Sequence, residues 1–544
     1  MKKNLIKYLE TALKNLGFPT DQIPVQIPKI SKHGDFTTNY GLLQSKKIKQ
    51  NPIDTSEKIK SELLSNDTEG FFEDISIVAP GFINFKINKK IIVLQLIEIT
   101  ELNESFGKND SYKGKRALVE FVSANPTGPL TVGHGRNAIL GDTVSRILEW
   151  NGYNVEREYY FNNAGRQMRV LGESVYARYM EMLGHSYAIP EGGYEGEYIK
   201  NIASNIYDEH GNSLENKKDD PIFKERAENL IFKDIEKTLL KIGMEFDAFF
   251  NENTLYDNGD IDKVIELLDE KGLIYKKDGA TWFKGTDLGR EVDRVMIKST
   301  GEPTYRLPDI AYHRNKFDRK YDLMIDVFGA DHMDAYPDVI AATSALGYEE
   351  NKIKVLIHQF VTIIKDSAPI KMSTRKANFI GLDELIDDVS ADVTRFFFIM
   401  RGMNTHLNFD LDLAKEQSEV NPVFYIQYAH ARACNILRRF DGDINKMDNT
   451  KLSLLIEEQE VQMITKLMHF PELVSNVSET LEPQMVANYL NELAAMFHSY
   501  YAKHKVIDIN NKDLTSARIY LSNCAKIVIK NGLNLLGIAA PEKM

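Results

Sequence analysis

Two groups of residues, more than two hundred positions apart, could together do phosphate chemistry. The first is Gly133-His134-Gly135, where a loop gives way to a helix. Free backbone N–H groups and the positive dipole end of a helix start face an anion readily. The second is KMSTRKANF (371–379), a loop with Lys371, Arg375 and Lys376 around Ser373 and Thr374. Attack on the α-phosphate of ATP expels pyrophosphate, so negative charge builds on the leaving group. Cationic donors from two sides stabilise that charge in the transition state.

The elements that must position these groups can be read on either side. Leu118 to Val122 is a buried strand, and a loop with Asn125, Pro126, Gly128 and Pro129 follows it. Ala138, Ile139, Leu140, Val144, Ile147 and Leu148 then recur at helical spacing. YNVEREYYFNNAG (153–165) is a second strand entering a turn, and residues 167–240 are mostly helical. Their polar section, 191–220, reads as an insertion or a mobile surface segment. In RVMIKSTGEPTYRLPDIAYH (294–313), Pro308-Asp309 caps a helix start. LMIDVFGADH (323–332) is a parallel-strand signature ending in Gly329. Ligands in open α/β sheets bind at the carboxyl ends of strands, which places Asp331 and His332 at the site. IKVLIHQFVTII (353–364) is a strand pair leading into the cationic loop.

The core is thus α/β, over 111–414, with a helical insertion around 170–280. Residues 1–110 form a separate α/β unit, with a first helix and a hairpin turning at Pro80-Gly81. From 415 onward helical periodicity runs unbroken, which gives an all-α domain. On its first helix, Tyr425, Tyr428, Arg432, Arg438 and Arg439 put aromatic and basic groups on adjoining faces. Base stacking uses that pattern, and so does an ordinary core stripe with a solvated basic face.

The length, 544 residues with 43% hydrophobic composition, suits about three domains with real cores. No apolar run approaches the ~20 residues needed to span a bilayer. The first helix has charges through its apolar positions and is not a signal peptide. Two cysteines, Cys434 and Cys524, in apolar helical contexts speak for a reducing cytoplasm and against zinc. The net charge of −12 is no mark of a nucleic-acid binder, although local basic faces can coexist with it.

Gly133-x-Gly135-x-x-Ala138 formally matches the dinucleotide fingerprint, with Glu156 near the expected distance. In that fingerprint the turn follows its strand immediately, whereas here ten residues separate Val122 from Gly133. That longer loop can cover a nucleotide and present His134 to it. GxxxxGK[ST] is absent, which disfavours a P-loop ATPase.

The two phosphate groups resemble the signature motifs of class I aminoacyl-tRNA synthetases, His-x-Gly-His and Lys-Met-Ser-Lys-Ser. EFVSANPTGPLTVGHGRNA, PTYRLPDIAYH, DVFGADH, KMSTRKANF, NPVFYIQYAHAR, the C-terminal LLGIAAPEKM and the N-terminal KHGDFTTN and PGFINF are similar to the arginyl-tRNA synthetase family. The resemblance covers nearly the whole chain. It implies a class I Rossmann-type core between an N-terminal α/β domain and a helical anticodon-binding domain over 415–544. It also implies arginine activation by ATP with Mg²⁺, then transfer to the terminal adenosine of tRNA(Arg). By position, Ser123 and Asn125 meet the arginine main-chain end. Glu120, Tyr305, Asp309 and Glu252 line the side-chain pocket, where carboxylates and a phenol match a planar fork of donors. Thr131, Gly133, His134 and Gly135 serve the ATP phosphates, as do Lys371, Met372 and Ser373. Gly329, Asp331 and His332 serve the adenosine side. His134, Lys371 and Arg375 are the catalytic donors. Tyr425, Tyr428 and Met544 are the tRNA contacts. No metal site of the protein's own, no membrane contact and a monomer are expected.

Two positions depart from the pattern. Thr131 replaces the first histidine of one signature, and Thr374 the second lysine of the other. A hydroxyl donates or packs but carries no charge. Some members of the family place a compensating lysine upstream of the first signature, where this chain has Gly128. Three alternatives stay open: a synthetase of the same class for another amino acid, a catalytically inactive tRNA-binding or regulatory module, which these departures motivate, and the dehydrogenase.

Overall fold

The computed structural model describes residues 1–28, 30–163, 165–370, 380–443 and 448–544. Helix α1 (Lys2–Asn15) repeats its apolar residues at i, i+4, i+7 and i+8, and Leu5, Leu9, Ala12 and Leu13 are all fully buried. Strand β1 (Phe36–Thr38) and helices α2 (Tyr40–Ile48) and α3 (Pro52–Asn66) follow. Asn51 caps α3 by accepting from Ile53 N, with Pro52 in the first turn. The hairpin read around Pro80-Gly81 is β2 (Phe72–Val78) with β3 (Phe82–Ile87), and β1 extends it on the β3 side. Helix α4 (Lys89–Leu102) leaves this unit and buries Ile92, Leu96 and Ile99 against the C-terminal helices.

The central unit runs β4 (Arg116–Glu120), α5 (Val132–Trp150), β5 (Asn154–Phe161), then helices α6 (Gly165–Met182), α7 (Glu197–His210) and α8 (Ile222–Lys241). Strand β6 (Ala248–Asn251) and helices α9 (Asn253–Asp257) and α10 (Asp260–Glu270) come next. A small antiparallel sheet of β7 (Ile274–Lys277), β8 (Ala280–Phe283) and β9 (Arg294–Ile297) leads to α11 (Arg306–Asp318), β10 (Leu323–Gly329), α12 (Tyr336–Ala345) and β11 (Ile353–His358). The polar section at 191–220 is no loose segment. Helix α7 lies within it and buries Ile199, Ile202, Ala203 and Ile206 against α6 and α8.

Five of these strands form one parallel sheet, in the order β11-β10-β4-β5-β6. The chain winds outward from β4 to β6, then returns to lay β10 on the other side of β4. Strand order therefore reverses between β4 and β10, and a crevice opens at their carboxyl ends. The apparent strand pair at 353–364 is divided between two sheets. Strand β11 closes the parallel sheet, while β12 (Val361–Lys365) joins β13 (Ala368–Pro369) and, further on, β14 (Leu407–Asp410). Between those two come α13 (Leu382–Val389) and α14 (Ala391–Ile399), and α15 (Leu411–Lys415) follows β14.

The remainder is helical among the described residues: α16 (Pro422–Arg438), α17 (Glu458–Met468), α18 (Phe470–Thr480), α19 (Gln484–Lys503) and α20 (Lys512–Leu535). No described helix is long and apolar enough to cross a membrane. Arg395 of α14 joins the parts. Its Nε donates to Leu536 O and its Nη1 to Ile242 O, both at 2.8 Å, and its Nη2 donates to Asp142 of α5. Burial lowers its pKa and Asp142 opposes that, so the pair stays ionised through its partners. Arg395→Met leaves Asp142 and two carbonyls short of a donor. Arg146 stays on Asp142 at 2.8 Å, so we expect a loss of about 2–3 kcal/mol, the cost of leaving buried acceptors short of a donor. Urea unfolding of the full chain measures it, and a loss under 1 kcal/mol contradicts the role.

Candidate active site

The exit from β4 is bent into a conformation that ordinary residues avoid. Val122 has φ +65° and Ser123 φ +44°. Left-handed backbone at a β-branched residue costs about 1–2 kcal/mol and persists where its surroundings hold it. Asn137 of α5 does the holding. Its Oδ1 accepts from Val122 N at 2.6 Å and its Nδ2 donates to Val327 O at 2.7 Å, clamping the β4 exit to β10. The bend turns Ser123 back onto its own strand, where its hydroxyl donates to Glu120 Oε1 at 2.8 Å and accepts from Tyr160 N at 3.2 Å. Three side chains from β5 and the insertion hold the loop that follows. Tyr159 donates to Ala124 O, Tyr198 to Thr127 O, and Asn125 Nδ2 to Gln167 Oε1. The Tyr198 hydroxyl lies 3.0 Å from where a Cβ on Gly128 would start, so a lysine there would have to displace it.

Beside this bend the structure gathers Glu120, Asp309 and Glu252. Asp309 is not a helix cap: α11 begins at Arg306, so Asp309 sits inside its first turn. No described residue donates a hydrogen bond to its carboxylate. Burial is the main reason its pKa is pushed up to about 7, His313 opposes that, and the nearby Glu120 and Glu252 charges add to it. Glu252 accepts from Tyr160 Oη at 2.5 Å and Asn162 Nδ2 at 2.8 Å, and burial raises its pKa despite both bonds. Glu120 is less free than its motif suggested. Its Oε2 accepts from the ammonium of Lys316 at 2.5 Å, and its other oxygen holds Ser123. Lys316 also donates to Asp326 Oδ1 at 2.6 Å, and His313 Nε2 lies 2.8 Å from Asp326 Oδ2. Burial works against the charge on Lys316, but Asp326 and Glu120 outweigh it and keep the ammonium protonated. Tyr305, just before α11, is 61% exposed, with its ring against the Arg306 guanidinium at 4.9 Å.

Lys316, Asp326, His313, Tyr160 and Asn137 were missed by the motif reading. A signal was there, since Asp326 interrupts the apolar run LMIDVF and Lys316 falls on the buried face of an amphipathic helix.

At the phosphate end, His134 occupies the third position of α5. Its Nδ1 accepts from Thr131 N at 3.1 Å, so Nε2 carries the proton of the neutral ring. Burial lowers its pKa while Asp331 pulls the other way. This corrects the expectation of a cation: His134 is a neutral N–H donor. Gly133 faces open space, with nothing nearer than Thr131 Oγ1 at 3.6 Å from a notional Cβ. Gly135 plays a packing part instead, since a Cβ there would strike Leu382 at 2.5 Å. Leu382 lies three residues past the second motif. Its N donates to Leu130 O at 2.8 Å, and Thr131 pairs with Gly381 as an antiparallel bridge. The chain just beyond the second motif, at Gly381 and Leu382, is thereby tied to the start of the first. Lys371, Met372, Ser373 and Arg375 lie outside the described residues. Across the crevice, Gly329 ends β10, with Asp331 exposed beyond it and His332 stacked on Phe328 at 5.0 Å. His358, not foreseen, lies near them; burial holds its pKa down to about 4.

In the helical domain, Tyr428 and Met544 line one cleft of about 830 Å³ with Arg432, Arg438, Lys505 and Lys543. The Arg432 guanidinium stacks over the Tyr428 ring at 4.4 Å. Tyr425 is not part of this cleft. Its ring packs on His498 at 4.5 Å and is half-buried.

Three family profiles match the chain: "Arginyl tRNA synthetase N terminal domain" at residues 3–87, "tRNA synthetases class I (R), catalytic domain" at 97–404, and "DALR anticodon binding domain" at 426–544. An arginine–tRNA ligase of Desulfotalea psychrophila is 48% identical over 96% of this chain and 94% of its own length. One of Chlorobium limicola is 47% identical, over the whole of both chains. Among solved structures, a putative arginyl-tRNA synthetase of Campylobacter jejuni is similar with TM-score 0.78 and 30% identity, over 84% of this chain and 100% of its own. The Thermus thermophilus arginyl-tRNA synthetase shares the fold with TM-score 0.78 at 21% identity, over all of both chains. With profiles on all three units and relatives matched end to end, this chain belongs to the arginyl-tRNA synthetases and is a class I aminoacyl-tRNA ligase.

Proposed function

We infer that the crevice between β4 and β10 activates L-arginine with ATP and passes the arginyl group to the 3′-terminal adenosine of tRNA(Arg). The observation that carries the arginine side is Asp309, a carboxylate in the cleft that receives no hydrogen bond from any described residue. A guanidinium offers the planar, charge-assisted donors it lacks, and a neutral side chain does not. Glu252 and Tyr160 stand beside it. The α-amino and carboxylate groups lie toward Ser123 and Asn125, so that the carboxylate oxygen attacks the α-phosphate and pyrophosphate leaves. His134 Nε2–H donates to the phosphates as a neutral group, and Gly133 leaves them room. Neither His134 nor Thr131 brings a charge. The charge on departing pyrophosphate therefore falls to Lys371 and Arg375 of the second motif and to Mg²⁺ carried on the nucleotide. Gly329, Asp331 and His332 take the adenosine side. Among the described residues no three His, Cys, Asp or Glu side chains converge on a metal position. The cleft with Tyr428 and Met544 takes an anticodon base, stacked on the tyrosine, with the surrounding cations on its phosphates. The domain limits are taken at 110 and 414. The enzyme is read as a cytoplasmic monomer, a compartment that suits two unpaired, buried cysteines.

ATP–pyrophosphate exchange tests the reaction. Exchange should require arginine and, as is typical of this family, tRNA. No exchange with any amino acid, and no charging of total tRNA, makes the chain an inactive tRNA-binding module.

Asp309→Asn should raise the arginine KM by about 10²-fold, the scale of a lost buried charge partner, with the ATP KM within a few-fold. An equal rise in both sinks the pocket assignment. In the wild type the arginine KM should climb as pH falls through about 7, where Asp309 takes a proton, and level off above it. The stability effect has the opposite sign. A raised carboxylate pKa favours the folded state at low pH and weakens it as pH rises through the folded value. Asp309→Asn should therefore be more stable than wild type by roughly 1–2 kcal/mol at pH 8 and no more stable at pH 4.

Tyr428→Ala should raise the tRNA KM by about tenfold, the worth of one stacked base, and lower the thermal midpoint less than Tyr425→Ala, since its ring lies farther from His498, at 5.7 Å. Tyr425→Ala should chiefly lower the thermal midpoint, through lost packing on His498. The reverse pattern would exchange the two roles.

A further inference from the structure

Lys316 is fully buried, and its ammonium holds Glu120 Oε2 at 2.5 Å and Asp326 Oδ1 at 2.6 Å. It also lies over the Tyr312 ring at 4.2 Å. Three donors thus meet two carboxylates and an aromatic face, and the group has no freedom left. Glu120 is held at both oxygens, by Lys316 on one side and the Ser123 hydroxyl on the other. Asp309 lies on the same face of α11, seven residues before Lys316, and its carboxylate receives no hydrogen bond from any described residue.

We propose that Lys316 is a positioning residue that sets the amino-acid pocket: by drawing Glu120 against β10 it leaves Asp309 as the carboxylate free to take one guanidinium. The inference rests on the reading of Asp309 as the guanidinium partner. Without Lys316, Glu120 and Asp326 face each other across a strand pair with no cation between them. Glu120 then either takes a proton or swings toward Asp309, and Ser123 moves with it. The arginine site changes while the nucleotide site, built on α5 and β10, does not.

A purely structural ammonium, present to cancel Asp326, makes a different prediction, and a charge-conserving pair of changes separates the two. In the wild type Glu120, Asp326 and Lys316 sum to one negative charge. In Lys316→Met with Asp326→Asn, Glu120 alone supplies it, held by Ser123, and the like-charge pair of Glu120 and Asp326 that Lys316→Met alone would leave is absent. Aminoacylation by the full chain, at saturating tRNA, gives the KM for arginine and for ATP. The double variant is expected to raise the arginine KM at least about tenfold with the ATP KM within about threefold, a split that lost folding does not give. Asp326→Asn alone keeps the Lys316–Glu120 contact and should hold the arginine KM within about threefold. A wild-type arginine KM in the double variant overturns the proposal, since Lys316 then only balances Asp326. So does a rise in Asp326→Asn as large as in the double. An unchanged arginine KM in Asp309→Asn would sink the pocket reading beneath it, a failure visible separately from these two.

Discussion

Three carboxylates stand side by side at the floor of the crevice. Asp326, Glu120 and Glu158 are in register on β10, β4 and β5, and all three are buried. Strands lie about 4.8 Å apart, and like charges at that spacing repel strongly away from water. The row can exist only with counter-groups laid over it, and one helix supplies them. Along α11, His313 meets Asp326, Lys316 bridges Asp326 and Glu120, Tyr312 donates to Glu158, and Arg319, just past its end, grips Glu158 with two nitrogens. A helix so engaged cannot slide or roll without unpairing a buried charge. The orientation of Asp309, on the first turn of that helix, follows from this lock.

Helix α5 is the second fixed body, and it opens with the first motif. Its first turn is shaped by His134 and Thr131, and its fourth residue from there, Asn137, clamps the β4 exit. Arg136, fully buried, reaches across to Gln359 O and Gly402 O, so the segments flanking β12 and β14 hang from the same helix. Further along, Asp142 receives Arg395 and connects the core to the end of the helical domain. The bridge from Thr131 to Gly381 then ties the chain beyond residue 379 to the start of α5.

The site is also where the fold carries its local costs. Val122 and Ser123 are left-handed without being glycines, and the Asp309 carboxylate receives no hydrogen bond from any described residue. Each opposes stability, and each places a group that a bound amino acid would engage. The clamp by Asn137 and the lock on α11 hold these conformations when the crevice is empty, so binding need not order them.

Much was legible in the sequence because it depends on local pattern. Apolar period marked α1, α5 and the C-terminal helices; Pro80-Gly81 marked its hairpin; LMIDVFG marked β10. The family resemblance, not spacing, pointed to Glu120, Asp309 and Glu252 as pocket residues, and the glycines around His134 pointed to a phosphate end. Other things were decided by partners distant along the chain. That Glu120 is occupied depends on Lys316, almost two hundred residues later. That His134 is a neutral donor depends on burial and on the Thr131 amide. That Gly135 serves Leu382 depends on a helix from another part of the domain. Tyr305, Tyr425 and Tyr428 look alike as residues, and packing alone made one an exposed ring, one a core contact and one a cleft wall. The sequence determined which chemistry was present and which elements carried it, because residue type and period are local properties. Tertiary structure decided which of those groups remain free to react, because charge and hydrogen-bonding capacity inside a protein are set by whatever the rest of the chain brings alongside.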